Sequence, residues 1–211
     1  MKAIAINASP RKGKNTEQLL RSALDGAAYM GAQTEFIALY DLNYTGCTSC
    51  FACKRKGAES CHCYWQDDLS PVLDKVLSSD ILFLGSPIYF GDITGQLHCF
   101  LERLNFILMT YDDYNKQLFN GRINTCLFVT MNVTKSMYET LYEQPLLNKI
   151  KPLERLGGKI KLYGSYDTLQ FDDYTKYQAA IFDEQHKKKI HEEIFPKDLL
   201  AAYEIGRQFA Q

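Results

Sequence analysis

The stretch Lys2-Ala3-Ile4-Ala5-Ile6-Asn7-Ala8-Ser9-Pro10-Arg11-Lys12-Gly13-Lys14-Asn15-Thr16 decides the fold. An apolar run of strand length, Lys2 to Asn7, gives way to a polar loop, and from Asn15 to Tyr29 the residues Leu19, Leu20, Ala23 and Ala27 recur near helical spacing. The same strand, loop and helix rhythm continues down the chain. Thr34 to Leu39 reads as a second strand. Ile81 to Ser86 reads as a third, continuous and apolar as a strand buried on both faces must be. Asn124 to Met131 and Lys159 to Ser165 supply two more. Between them, Pro71 to Leu77 reads as a short helix and Gly95 to Met109 as a longer one with Thr94 as its N-cap. Tyr138 to Leu156 reads as a helical stretch interrupted by Pro145 and Pro152 and ended by Gly157-Gly158. Strands alternating with helices predict an α/β fold over residues 1–211. The expected architecture is one doubly wound, five-stranded parallel sheet in three α/β/α layers, with no linker or internal repeat. A cysteine-rich insertion at about 44–68 follows the second strand. A helical C-terminal extension at about 185–211 is broken by Pro196.

Composition narrows the function classes. The chain is 46% hydrophobic and 23% charged with a formal net charge of −1, which gives nucleic acid no basic face to bind. The longest apolar run, Ile81 to Phe90, is interrupted by Gly85, Ser86 and Pro87 and is too short to span a bilayer. Met1 leads directly into a strand pattern without a cationic leader, so a cytoplasmic protein is expected. The run Lys187-Lys188-Lys189 sits between Asp183-Glu184 and Glu192-Glu193 and reads as a solvated helix face. His98, His186 and His191 read as surface helix residues and offer no acid–base constellation.

Five of the seven cysteines, Cys47, Cys50, Cys53, Cys61 and Cys63, fall between Gly46 and Asp68. A disulfide staple fits poorly, because 211 residues can bury an adequate core without one. The cluster speaks for redox or metal work. Cys99 and Cys126, on a predicted helix and strand, read as small buried apolar residues. His62, between two of the clustered cysteines, reads as a solvated loop residue.

Two loops carry the remaining chemistry. The first joins strand one to helix one, where backbone N–H groups carry partial positive charge, Ser9 and Thr16 add hydroxyls, Asn15 an amide, and Arg11 and Lys14 cationic charge. This set suits a phosphate, although it is neither a Walker A loop nor a GxGxxG turn. A merely polar capped loop is the plain alternative. The second, Gly85 to Gly95, leaves the third strand. In a strand order of 2-1-3-4-5, strands one and three flank the point where the winding reverses, so both loops face one crevice. Tyr89 and Phe90, between glycines, offer a flat apolar wall for an isoalloxazine ring; capping of the core is the alternative. Asn132, in the loop after strand four, completes such a pocket.

These motifs also resemble a known family. Ala8-Ser9-Pro10-Arg11 with Asn15-Thr16, the block Gly46-Cys47-Thr48-Ser49-Cys50-Phe51-Ala52-Cys53, Asp67-Asp68-Leu69, and Ser86-Pro87-Ile88-Tyr89-Phe90-Gly91 with Gly95-Gln96-Leu97 resemble the NADPH-dependent FMN reductase-like flavoproteins, including their iron-sulfur branch. The resemblance covers about the first 135 residues, with weaker matches at Thr168 to Tyr174 and Phe195 to Asp198. It implies a flavodoxin-like fold, non-covalent FMN, and a homodimer or higher homo-oligomer that builds the flavin site across its interface. Ser9, Arg11, Asn15 and Thr16, with Lys14 beside them, would hold the FMN phosphate. Pro87, Ile88, Tyr89, Phe90 and Gly91 would lie along the ring, with Asn132. NAD(P)H would be the co-substrate, and flavin, quinone, an oxygen species or a metal ion the small acceptor. The flavin carries the chemistry, so no protein residue is singled out as catalytic. In the iron-sulfur branch, CxxCxxC and a later cysteine ligate a [4Fe-4S] cluster. Cys47, Cys50 and Cys53 have that spacing, and Cys61 or Cys63 would be the fourth ligand, Cys63 aligning better with the cysteine before Asp67-Asp68. Structural zinc and free thiols stay open beside it. With a cluster, the route becomes one-electron relay between iron-sulfur and FMN, ferredoxin becomes a candidate donor, and pyridine-nucleotide turnover is not required.

Overall fold

A computed structural model describes residues 1–211. Strands β1 (Lys2–Asn7), β2 (Gln33–Ala38), β3 (Ile81–Pro87), β4 (Ile123–Thr130) and β5 (Gly157–Ser165) form one sheet in the order β2-β1-β3-β4-β5, every pair parallel. Helices α1 (Asn15–Tyr29), α2 (Leu69–Leu77), α3 (Gly95–Leu108), α4 (Lys135–Leu141), α5 (Glu143–Ile150), α6 (Glu184–Glu193) and α7 (Phe195–Phe209) make the outer layers.

Alternation along the strands divides the core. Ile4, Ile6, Leu82, Leu84, Leu127 and Val129 face the α2, α3 and α5 side, where Leu73, Phe100 and Leu146 meet them. Ala3, Ala5, Phe83, Cys126 and Phe128 face α1 and α7, against Leu20, Ala23, Ala202 and Ile205. Burial on both faces explains why β3 is apolar throughout. At the carboxyl edge, Ala8 N–H donates to Gly85 O at 2.8 Å, Ile88 N–H to Thr130 O at 2.9 Å and Met131 N–H to Ser165 O at 3.1 Å, so the loops leaving four strands are laced together.

Four expectations need correction. The helical stretch after β4 breaks at Tyr142, and Pro145 lies in the first turn of α5, where a missing N–H costs no helical bond. Likewise the tail breaks at Ile194, with Pro196 in the first turn of α7. Lys187 is not on a solvated face: it is 3% exposed, while Lys188 and Lys189 stay on the surface. Cys126 is buried as expected, whereas Cys99 is half-buried, close to Gly46 of the insertion.

Candidate functional site

The loop after β1 is braced by side chains of its own segment. Ser9 N–H turns back to Asn7 Oδ1 at 3.0 Å and Arg11 N–H to Ser9 Oγ at 3.2 Å. Gly13, at φ +69°, lets the chain swing into α1, and its N–H donates to Glu17 Oε2 at 2.9 Å. Burial works against the charged form of Glu17, but the Gly13 N–H and the Arg21 guanidinium outweigh it and hold the carboxyl below its ordinary value. Helix α3 is capped by the Thr94 hydroxyl, α4 by Thr134 and α6 by Asp183, yet no side chain caps α1. Its amino end opens into a cleft of about 630 Å³ lined by Ser9, Arg11, Lys14, Asn15, Thr16, Pro87, Ile88, Tyr89 and Asn132. Nine of the eleven residues expected to hold a flavin therefore share one cavity.

Phe90 and Gly91 do not line it. Tyr89 and Asp92 exchange backbone hydrogen bonds at 2.8 and 3.0 Å, closing a tight turn whose tip is Phe90 at φ +52° and Gly91 at φ +82°. Phe90 is fully exposed. A left-handed phenylalanine is uncommon, and here the turn, tied down through Lys149 to Asp92 at 2.8 Å, imposes it.

The structure adds a wall that residue chemistry did not single out. After β5 the chain turns back across the carboxyl edge, so that Thr168, Leu169 and Gln170 line the same cleft. Asn15 Nδ2 donates to Leu169 O at 3.0 Å, Arg11 Nη2 to Gln170 O at 2.5 Å, and Lys14 pairs with Asp172 at 2.9 Å. On the opposite side Asn132 Nδ2 donates to Gln170 Oε1 at 2.8 Å. Only the likeness of Thr168 to Tyr174 to some flavoproteins points here, because a strap contacting the loop after β1 from beyond β5 leaves no local periodicity to read.

The insertion forms a second cavity, about 350 Å³, in which Cys47, Cys50, Cys53 and Cys63 are joined by Phe51, Trp65, Arg103, Phe106 and Ile107. Left-handed Ser49 and Phe51, at φ +53° and +55°, turn the loop between its cysteines. Cys61, itself at φ +61°, does not line that cavity; it borders one cleft with His62 and Asp74 and another with Cys53. His62 Nδ1 lies 3.1 Å from Asp74 Oδ1, so that ring is engaged with a carboxylate instead of the thiols. All seven cysteines are free thiols. Burial pushes the Cys53 thiol up, Lys54 opposes this, and the nearby Cys63, Cys50 and Cys47 add to it. Arg103, 2% exposed, donates from Nη2 to Cys63 Sγ at 3.3 Å and to Ser70 Oγ at 2.6 Å, and from Nη1 to Asp67 Oδ2 at 2.5 Å. Burial favours the neutral form of Asp67, but Arg103 outweighs it and holds the carboxyl below its ordinary value.

These donor sets bear differently on the two groups the family implies. A cleft with an uncapped helix terminus, two cations and a buried, unpartnered Asn132 Oδ1 fits a phosphorylated, hydrogen-bonding ligand such as FMN. The thiols share one cavity, but no three Cys, His, Asp or Glu side chains close on a single ion. Thiolates on one zinc would sit about 3.8 Å apart, given a Zn–S bond of about 2.3 Å. Cysteine thiolates are ligands that an iron-sulfur cluster and zinc both take, so the donor chemistry suits either.

Comparison with known proteins gives the family and the fold. An iron-sulfur flavoprotein of Methanocaldococcus jannaschii is 38% identical over 116 residues, 55% of this chain and 58% of that protein. One from Archaeoglobus fulgidus is 35% identical over 103 residues, 49% of this chain and 48% of that protein. The chain thus spans about half the length of the curated relatives it matches. Among solved structures, an NAD(P)H:quinone oxidoreductase from Methanothermobacter marburgensis superposes with a TM-score of 0.71 at 14% identity over 98% of both chains, and an archaeal flavodoxin with 0.52 at 13% identity over 100% of this chain and 96% of that one. Both share the fold. The NADPH-dependent FMN reductase family matches residues 1–139, about two-thirds of the sequence and the whole of both chemistry-bearing loops, and the chain belongs to that family.

Proposed function

We propose that this protein is an oxidoreductase that binds FMN non-covalently in the cleft at the carboxyl edge of the sheet. It would pass electrons from NAD(P)H, or from a reduced carrier such as ferredoxin, to a small acceptor such as a flavin, quinone, oxygen species or metal ion. The observation that carries the reading is the uncapped amino end of α1 opening between Arg11, Lys14 and the hydroxyls of Ser9 and Thr16. When bound, FMN supplies the redox chemistry. The chain's own part is to bind and orient. Arg11 and Lys14 neutralise a phosphate dianion, Thr16, held by the Thr130 hydroxyl at 2.8 Å, presents its oxygen at a fixed place, and Pro87, Ile88 and Tyr89 form the apolar wall. Arg11→Ala with Thr16→Ala should weaken FMN binding about a hundredfold, from two bonds to a charged group of about 1.5 kcal/mol or more each. Unchanged affinity in a fluorescence titration would remove the phosphate assignment.

A second reading, an iron-sulfur and FMN electron-transfer protein without pyridine-nucleotide turnover, is favoured by the convergence of Cys47, Cys50, Cys53 and Cys63 on one cavity. In it those four thiolates hold a [4Fe-4S] cluster. Protein purified without oxygen separates the readings. Flavin with NAD(P)H-dependent acceptor reduction supports the enzyme. About four irons per chain, with a flavin that NAD(P)H leaves oxidised, supports the carrier. The assembly is taken as a homodimer or higher homo-oligomer, in keeping with the fully exposed Phe90 beside the cleft.

A further inference from the structure

We propose that Arg103 sets the reduction potential of an iron-sulfur cluster held in the cysteine cavity, its Nη2 N–H donating to the Cys63 sulfur and so favouring the reduced state. This rests on the second reading above and deepens it, by naming a positioning residue that is not itself a ligand.

Arg103 is the one charged side chain among those lining the cavity, whose other walls are thiols and neutral residues. Its terminal nitrogens are fully committed. Nη1 donates to Asp67 Oδ2 at 2.5 Å and to Thr45 O at 3.4 Å, and Nη2 to Ser70 Oγ at 2.6 Å and to Cys63 Sγ at 3.3 Å. With an acceptor for every terminal N–H, the guanidinium plane is fixed, and the donor on sulfur is held in place by the fold. Asp67 is anchored in turn, its Oδ1 accepting from the N–H groups of Leu69 and Ser70 at 3.1 and 3.2 Å in the first turn of α2. Asp67 does not line the cavity. Cys63 therefore meets the positive end of the Arg103–Asp67 pair.

Reduction adds one electron to the cluster and breaks no bond, and the proton stays on Arg103, whose guanidinium does not deprotonate in proteins. The added charge spreads onto the ligating sulfurs. An N–H aimed at one of them stabilises the reduced state more than the oxidised one, and apolar walls keep water from diluting the difference. Asp67 cancels most of the guanidinium's field at a distance, so the effect is carried by the hydrogen bond at close range.

The test uses the full chain purified without oxygen and titrated with dithionite, the cluster followed by electron paramagnetic resonance and the flavin by absorption. Arg103→Met with Asp67→Asn removes the donor and its counter-charge together, so that no buried carboxylate is stranded. Iron content should be unchanged. At a fixed solution potential the cluster's reduced-to-oxidised ratio should fall about tenfold, the worth of one hydrogen bond to a charged group, which is about 59 mV for one electron. The flavin midpoint should not move, because neither residue lines the flavin cleft. Asp67→Asn alone leaves the guanidinium unneutralised and should raise the cluster's potential. A cluster midpoint that stays put in the double variant with its iron intact overturns the proposal, and so does an equal fall in both midpoints, which reports a general loosening of the fold. If the double variant loses its iron, Asp67→Asn decides: a raised potential upholds the proposal, and an unmoved one, or iron lost there too, overturns it. Should the unaltered protein hold no iron, the cluster reading falls and the proposal with it, an outcome distinct from an iron-bearing protein whose potential ignores Arg103.

Discussion

Lys187 shows how a residue's surroundings can reverse its sequence context. It stands in a run of three lysines flanked by acids, yet its ammonium is buried, donating to Asn132 O and to Asp167, whose left-handed backbone at φ +54° places its N–H on Val133 O at 2.8 Å. His186 Nε2 meets the other Asp167 oxygen. Three segments, the loop after β4, the turn after β5 and α6, are thus pinned together through Asp167 and Lys187. Lys187→Met should destabilise the fold by about 3 kcal/mol in urea unfolding, because removing one partner strands the other charge. Burial disfavours the Asp167 anion, but Lys187 and His186 outweigh it and hold its folded pKa below 3.8. The sign follows from linkage: a depressed carboxylate contributes its full stability above the unfolded value and loses it as pH falls through the folded one. The stability gap between the unaltered protein and Asp167→Asn should be full at about pH 5 and narrow below about pH 4. A gap that is still level at about pH 3 would show that the ion pair contributes nothing.

Among the elements, the tightest approach is between α1 and α7, and it runs through glycine. A Cβ on Gly206 would fall 2.0 Å from Ala23 O, and one on Gly26 2.0 Å from Tyr203 O, so the two helices touch backbone to backbone. Gly206→Ala must push α7 off α1 and should cost about 2 kcal/mol, read as a lowered midpoint in thermal unfolding. An unchanged midpoint would mean the helices can part freely. This contact also marks where reading the sequence stops. β1 and α1 lie where their apolar spacing puts them, and Thr94 caps α3 as its residue type suggests, because those signals are local. The breaks at Tyr142 and Ile194 are not local: a proline inside a helical pattern signals a breaker, and here its neighbours make it a starter in the first turn. The strap's grip on Arg11, Asn15 and Lys14 joins residues more than 150 positions apart, and no periodicity encodes that pairing.

Across the whole molecule, α3 joins the two cavities. Its cap, Thr94, donates to Ala8 O at 2.9 Å beside the flavin cleft, and nine residues on Arg103 reaches Cys63, a rise of about 13 Å along the helix. The cysteine insertion is therefore fastened to the same rigid element that closes the flavin loops, through Arg103 and through Tyr44 Oη donating to Gln96 O at 2.8 Å. Sequence spacing left Cys61 and Cys63 as rival fourth ligands, since both lie the right order of distance from Cys53. The fold distinguishes them: the Asp67 and Ser70 contacts of Arg103 hold Cys63 in the cavity with Cys47, Cys50 and Cys53, while Cys61 lies outside that cavity and meets only Cys53 across a neighbouring cleft. If the thiols hold a cluster, Cys63→Ser purified without oxygen should lose most of its iron, and Cys61→Ser should keep the unaltered protein's content. Both variants should retain FMN, because neither cysteine lines the flavin cleft. Iron lost from Cys61→Ser alone would reassign the fourth ligand, and iron kept in both would remove the later cysteines from the ligand set.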